Sequence, residues 1–315
     1  MGHPPSLSLR CDPAFAVIRL RVTADRLVCS NSLKGTLLAH LSADKANFSS
    51  RPLAVLACFV LLVYGLSWMI EVPAALTTLG LLHVHVSKGL QTMAQLTPAV
   101  AAVITAGFFY GRRAIVPTLL PLLKVRAPVR WYAVALLVAP ATQAAALLLY
   151  RTMGHSLPAF GRWFELPMMV MVLALFSVGE ELGWRGFFLP NLMKRSSLLA
   201  ATAWMALFWG FWHLPFYFVA NSEGRSTWLQ YLLFLAGIFP VSALFVLIYS
   251  RTKSVFLCLL FHGSLNAGAA HWFGPLPAGE LLPYALWTGL LWITAIPVLL
   301  ALSSATSRRP AIKTG

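Results

Sequence analysis

The sequence predicts an all-α polytopic membrane protein with about eight transmembrane helices. Of its 315 residues, 59% are hydrophobic and only 10% are charged, which is too apolar for an ordinary soluble domain. The apolar residues form runs of about 20 residues, the length that an α-helix needs to cross a bilayer. The basic residues lie between these runs, as they do in membrane proteins. The runs therefore define the organisation of the chain.

Eight apolar segments are the predicted spans. They are residues 53–71, 92–111, 131–150, 166–190, 198–219, 228–250, 254–272 and 281–303. Residues 73–90 and 115–123, which lie between the first three spans, are predicted to be re-entrant or interfacial. Residues 1–52 are basic and Ser-rich and are predicted to form a disordered cytoplasmic extension. The transmembrane domain is predicted over residues 53–305, followed by a basic cytoplasmic tail at residues 306–315.

The net charge of +15 predicts an orientation in the membrane and not nucleic-acid binding. Of the 24 Lys and Arg residues, 19 lie in the N-terminal extension and in the loops and tail that share its side. Basic residues favour the cytoplasmic side, so both termini are predicted to be cytoplasmic, with the bacterial inner membrane as the expected location. The four cysteines show no paired spacing and predict neither a disulfide framework nor a zinc ribbon.

The fourth span contains charged residues that an apolar segment rarely keeps. Glu180, Glu181 and Arg185 lie there, and each charge costs about 2.5–3.5 kcal/mol at the centre of a membrane helix. The other seven acidic residues, Glu71 among them, are assigned to the tail and loops. Glu181 and Arg185 are four residues apart and can pair on one helix face, whereas Glu180 points about 100° away and can face a cavity. This pattern predicts a functional site.

Two later spans contain further polar residues. Glu180 precedes the turn near Ser196 by 16 residues and His213 follows that turn by 17 residues, so on antiparallel helices the two side chains lie at similar depth. His262 and Asn266 lie on the seventh span and share a helix face because they are four residues apart. These side chains are therefore expected to converge.

The three motifs together resemble those of the CPBP family of intramembrane proteases, which includes the CAAX prenyl proteases and the bacteriocin-processing enzymes of the Abi group. They are Glu-Glu-x-x-x-Arg at residues 180–185, an aromatic residue ahead of His213, and His-x-x-x-Asn at residues 262–266. The resemblance covers about residues 100–270 and implies a four-helix catalytic core. The family usually has Phe four residues before the second-motif His, where this chain has Trp209, which we expect to pack against the site.

The resemblance implies hydrolysis of a peptide bond in a membrane-associated or prenylated, CAAX-type substrate. Such a reaction needs an activated water, a group that stabilises the oxyanion, and a proton for the leaving amine. The implied pairs are Glu180 and His213 for the water, Glu181 and Arg185 for orientation, and His262 and Asn266 for the oxyanion.

A metal is an open alternative at the same residues. Glu180, His213 and His262 form a donor set of the kind that holds catalytic Zn²⁺ with one open position, or another divalent metal, and the family is commonly described as metalloproteases. A metal-free glutamate mechanism would use the same side chains. The sequence leaves both alternatives open.

Other functions make different demands on the sequence. The chain contains no His-Glu-x-x-His motif, and its three Asp residues all precede residue 45, which disfavours site-2-type zinc proteases and presenilin-like aspartyl proteases. A proton-coupled transporter could use the buried Glu and His residues as a relay, but it predicts internal repeats. The polar residues here lie in the second half of the chain, which favours the protease.

Overall fold

Apolar helices make up the part of the chain that the computed structural model describes, which is residues 52–157, 159–161, 163–219, 228–277 and 280–307. No strand occurs among these residues, which confirms the predicted all-α class. The predicted extension before the first span, apart from Pro52, and residues 308–315 of the predicted tail lie outside the described residues.

The helices are numbered here in chain order. They are α1 (Pro52–Thr78), α2 (Lys88–Ala94), α3 (Thr97–Tyr110), α4 (Ile115–Leu119), α5 (Val129–Thr152), α6 (Leu166–Phe176), α7 (Val178–Glu181), α8 (Leu189–Met193), α9 (Leu198–Trp212), α10 (Leu214–Phe218), α11 (Trp228–Thr252), α12 (Val255–Trp272) and α13 (Leu282–Ser307). A π-helix, Leu182–Phe188, joins α7 to α8. Short 3₁₀ turns occur at Arg112–Ala114, Leu120–Leu123 and Trp163–Glu165.

Fewer helices than predicted are long and apolar enough to cross a membrane. Among the described residues, 4 helices (α1, α5, α11 and α13) can cross a membrane alone, or up to 6 spans are possible if each of two bent helix pairs counts as one. The remaining predicted spans correspond to α9, which has 15 residues, and to α12, whose apolar character is reduced by His262, Ser264 and Asn266. The polytopic membrane class is confirmed, and the described residues contain four to six candidate spans in place of the predicted eight.

The fourth predicted span is broken and not straight. The segment Trp163–Phe176 meets the segment Val178–Met193 at 54°. At the break, the Ser177 hydroxyl donates to the Leu173 carbonyl over 2.8 Å, a side-chain bond that bends helices. The π-helix follows one turn later, and such wide turns occur frequently at functional sites. The break and the wide turn together fix the positions of Glu180, Glu181 and Arg185.

Two glycines allow this broken helix to approach the start of α3. Gly179 and Gly183 are four residues apart, the small-residue spacing that lets membrane helices pack closely. A Cβ atom at Gly179 would lie 2.5 Å from the Gln95 carbonyl oxygen, and one at Gly183 would lie 2.4 Å from a backbone carbon of Pro98. Both obstacles are backbone atoms, so the contact leaves no room for a larger residue.

We expect Gly183→Ala to destabilise the protein, because the added methyl group must displace the backbone of α3. Overpacking of this kind costs about 1–3 kcal/mol, which lowers the thermal unfolding midpoint measured in detergent. Gly65→Ala is the matched control, since a Cβ atom there meets nothing within 4 Å. Equal midpoints for the two variants would contradict this packing.

The remaining helices enclose the polar residues. Helix α12 packs against α5 and α6, while α11 packs against α9 and α13. On the other side, α1 packs against α3 and α10. An aromatic cluster fixes α1 to the π-helix, with the Phe59 ring centroid 5.4 Å from that of Trp184 and 5.2 Å from that of Phe188. The segment α7 to α8, together with α9, α11 and α12, surrounds the candidate site.

Candidate active site

Glu181 is the centre of a buried charged cluster. Its Oε1 accepts a hydrogen bond from Arg185 Nη1 over 2.8 Å and a second from His262 Nδ1, also over 2.8 Å. Glu181 and Arg185 are fully buried. The pairing expected from their four-residue spacing is therefore present, and it extends to α12 through His262. Because the carboxylate accepts from Nδ1, that nitrogen carries a proton.

Two aromatic rings hold the Arg185 guanidinium. Its Cζ lies 3.9 Å from the centroid of the Trp209 ring and 3.6 Å from that of the Phe245 ring. Within the described residues, Arg185 Nε and Nη2 have no hydrogen-bond partner. Contact with aromatic faces supplies favourable electrostatic energy for a desolvated cation. The positive charge of Arg185 is therefore stabilised by the Glu181 carboxylate and by the faces of two aromatic rings.

Glu180 points away from this cluster towards α9. Its Oε2 accepts a hydrogen bond from Trp209 Nε1 over 3.0 Å and lies 4.0 Å from His213 Nε2. The other ring nitrogen, His213 Nδ1, lies 2.8 Å from the Trp209 carbonyl oxygen and therefore carries the proton. His213 Nε2 is left with a lone pair. A gap of 4.0 Å between two acceptors is too long for a direct bond and suits a bridging water.

A cavity of about 330 Å³ adjoins these residues, a volume within the range of ligand pockets. Its polar lining includes His213, His262 and Asn266, and its aromatic lining includes Phe234 and Trp287. Asn266 is half-buried and lies one helical turn after His262. His213, His262 and Asn266 therefore share one cavity with aromatic walls.

The predicted metal ligands do not assemble as a group of three. Among the described residues, no set of three or more His, Cys, Asp or Glu side chains is placed to hold a metal ion. Glu180 and His213 approach each other, and His262 bonds to Glu181 through Nδ1. The described residues therefore present no three-residue group for Zn²⁺, and the reaction is derived from the side chains alone.

Sequence reasoning missed three features of the site. Trp209 is expected only to pack, but it donates a hydrogen bond to Glu180 and stacks on Arg185. Its position four residues before His213, on the same helix face, could have indicated that it lies in the site. Phe245 had no such signal in its apolar span. Glu71 was assigned to a loop, but it lies inside α1 and is buried. Glu71 is therefore a further acidic residue inside a helix that can cross the membrane.

We expect Trp209→Phe to lower kcat/KM about 10- to 100-fold, because it removes a hydrogen bond to a charged group worth about 1.5–3 kcal/mol while keeping an aromatic ring beside Arg185. The measurement is steady-state cleavage of a peptide substrate by the purified variant. Trp204→Phe is the matched control, since Trp204 lies on the same helix but is half-exposed. Equal loss in both variants would contradict a specific role for Trp209.

Comparison with known proteins supports the resemblance to CAAX prenyl proteases that the motifs indicate. Residues 162–268 match the family described as type II CAAX prenyl endopeptidase Rce1-like. The CAAX prenyl protease 2 of Methanococcus maripaludis is 34% identical to this chain over 104 residues. That match spans 31% of this chain and 38% of the relative's length.

The matched segment contains all the residues that the motif analysis selected. They are Glu180, Glu181, Arg185, His213, His262 and Asn266. The resemblance predicted from the motifs is confirmed, and the transporter alternative is not favoured. Residues 162–268 of this chain are therefore similar to the Rce1-like type II CAAX prenyl endopeptidases.

Proposed function

We propose that this protein is an intramembrane endopeptidase that hydrolyses a peptide bond of a membrane-associated or prenylated, CAAX-type substrate. The observation that carries the proposal is the 4.0 Å gap between Glu180 Oε2 and His213 Nε2, beside a cavity that His213 lines. Both atoms are acceptors that can bind one water through its two protons. The family of residues 162–268 supports the same reaction class.

The reaction follows from these atoms. As the water oxygen bonds to the scissile carbonyl carbon, Glu180 takes the water proton. When the C–N bond breaks, Glu180 returns that proton to the leaving amine. In the tetrahedral intermediate, the negative oxygen is placed against Asn266, whose amide is a hydrogen-bond donor. His262 can also donate from Nε2 when its ring carries both protons, with Glu181 as the counter-ion on Nδ1.

The cavity suits a substrate with an apolar group. Its lining includes Phe216, Tyr217, Phe234, Tyr284 and Trp287, and aromatic surfaces of this kind bury extended hydrocarbon well. The outer faces of the spans are also apolar, as at Met69, Leu137 and Ile293, which are largely exposed on α1, α5 and α13. A lipid-modified peptide that is already in the bilayer fits both surfaces.

The test is cleavage of a defined peptide by the protein purified in detergent. A farnesylated CAAX peptide and the same peptide without the lipid are incubated with wild type and with Glu180→Ala, and the products are identified by mass spectrometry. Cleavage by wild type alone supports the proposal, and dependence on the lipid identifies the substrate class. Failure to cleave either peptide, together with Glu180-dependent proton flux in vesicles, would favour a proton-coupled transporter instead.

We expect activity to survive treatment with a strong metal chelator, because the described residues form no three-residue ligand group. The metal content of wild type and of His213→Ala, measured by mass spectrometry, provides a second readout. Metal bound in a fixed ratio to wild type, lost together with activity on chelation and in His213→Ala, would instead establish the metal-dependent alternative.

Orientation and location complete the proposal. The charge asymmetry of the loops supports cytoplasmic termini, and we propose the bacterial inner membrane as the location. The substrate then meets the protein from within the bilayer.

A further inference from the structure

Glu71 is a buried carboxylate that the proposed reaction does not use. It lies in α1, seven residues before the end of that helix at Thr78, and is only 5% exposed. Helix α1 is one of the four helices that can cross a membrane alone. A carboxylate in such a helix is expensive to keep and usually marks a functional site.

Neighbours on the same face of α1 show what Glu71 faces. Ser67 and Trp68, which lie four and three residues before Glu71, both bond to Trp212. Trp212 Nε1 donates to Ser67 Oγ over 2.7 Å, and Trp68 Nε1 donates to the Trp212 carbonyl over 3.2 Å. Residues spaced in this way lie on one side of a helix. Glu71 is therefore directed to the segment that begins at Trp212 and continues with His213.

The next turn of α1 also packs against the segment that follows Trp212. Ala74 and Ala75 are buried in a small cluster with Val219, and Phe218 packs against that cluster. Contacts before and after Glu71 thus reach the two ends of residues 212–219. Helix α10, which lies within this segment, packs directly on α1.

One carboxylate oxygen of Glu71 is enclosed by this packing. Within the described residues, Glu71 Oε2 is buried and has no hydrogen-bond partner. Buried polar atoms in this situation are normally satisfied by internal water.

Packing does not explain why a carboxylate occupies this position. A desolvated acid without a cation or a donor destabilises the folded state, and an apolar side chain of similar size would be as stable or more stable. Residues that lower stability in this way are typical of functional sites.

We propose that Glu71 is a positioning residue of the active site that holds water for delivery to Glu180 and His213. The inference rests on the proposed function, because each hydrolytic cycle consumes one water deep within apolar surroundings. Glu71 contributes acceptor oxygens on the face of α1 that packs against the segment containing His213. It acts through that water and makes no contact with the substrate.

Two variants test the proposal by separating activity from stability. Glu71→Leu removes both acceptor oxygens and is expected to lower kcat about tenfold or more with little change in KM, while the thermal midpoint stays equal to wild type or rises. Glu71→Gln keeps one acceptor oxygen and is expected to recover most of the activity. Glu165→Gln is the control for loss of a carboxylate outside the site.

Each result decides the question. Wild-type kcat in Glu71→Leu overturns the proposal, and so does a fall in its midpoint that accounts for the loss of activity, since that would show a structural role. Glu180→Ala in the same assay keeps the two hypotheses distinct. If wild type cleaves and Glu180→Ala does not, the result for Glu71 stands on its own; if wild type cleaves nothing, the proposed function fails first.

Discussion

Replacing Glu180 by Gln is expected to lower kcat/KM by about 10²–10⁴-fold, the usual contribution of a general base. The amide cannot take a proton from the water that Glu180 and His213 would share. Its oxygen can still accept the hydrogen bond from Trp209 Nε1, so the thermal midpoint should stay close to that of wild type. The measurement is steady-state cleavage of the peptide substrate together with an unfolding curve.

A double variant makes this prediction more specific. Since Glu180 and His213 are assigned to one water across 4.0 Å, Glu180→Gln combined with His213→Ala should be no slower than the slower single variant. Residues that act as a unit show this lack of additivity. Fully additive losses would show that the two side chains act in separate steps. Glu165→Gln, which changes a carboxylate outside the site, should retain wild-type activity.

The sequence was sufficient to predict which polar residues converge. Glu180 and His213 were placed at the same depth by counting residues from one turn, and the structure brings their side chains to 4.0 Å. This succeeded because helices rise by a constant distance per residue and because charges in apolar spans are few. The Glu181–Arg185 pair followed from the four-residue spacing for the same geometric reason.

The sequence could not predict the details that depend on helix ends and on packing between helices. Glu71, the last residue of the first predicted span, is counted with the loops because a hydropathy window ends at the first charge, whereas α1 continues to Thr78 with Glu71 buried inside the protein. The bend at Ser177 and the following π-helix could not be predicted, because a single Ser within a span does not specify where the helix bends or widens. Phe245 stacks on Arg185 only because α11 lies beside the broken helix, which is a tertiary contact.

Replacing Arg185 by Ala is expected to cause the largest loss of stability, because it leaves the Glu181 carboxylate buried without its cation. Breaking a buried ion pair in this way costs about 3–5 kcal/mol, and both side chains here are fully buried. The variant should unfold at a much lower temperature in detergent and should have lost activity. Unfolding at the wild-type temperature would contradict the view that Arg185 neutralises Glu181.

A second substitution separates the two roles of this pair. Combining Arg185→Met with Glu181→Leu removes both charges, and apolar replacement of a buried pair is often neutral or stabilising. Most of the stability lost in Arg185→Ala should therefore return. Activity should not return, because His262 Nδ1 loses the carboxylate oxygen that holds it at 2.8 Å, and the ring is then free to turn away from the cavity. Recovery of both properties would show that Glu181 and Arg185 serve only the fold, whereas recovery of stability alone places them in the support of His262.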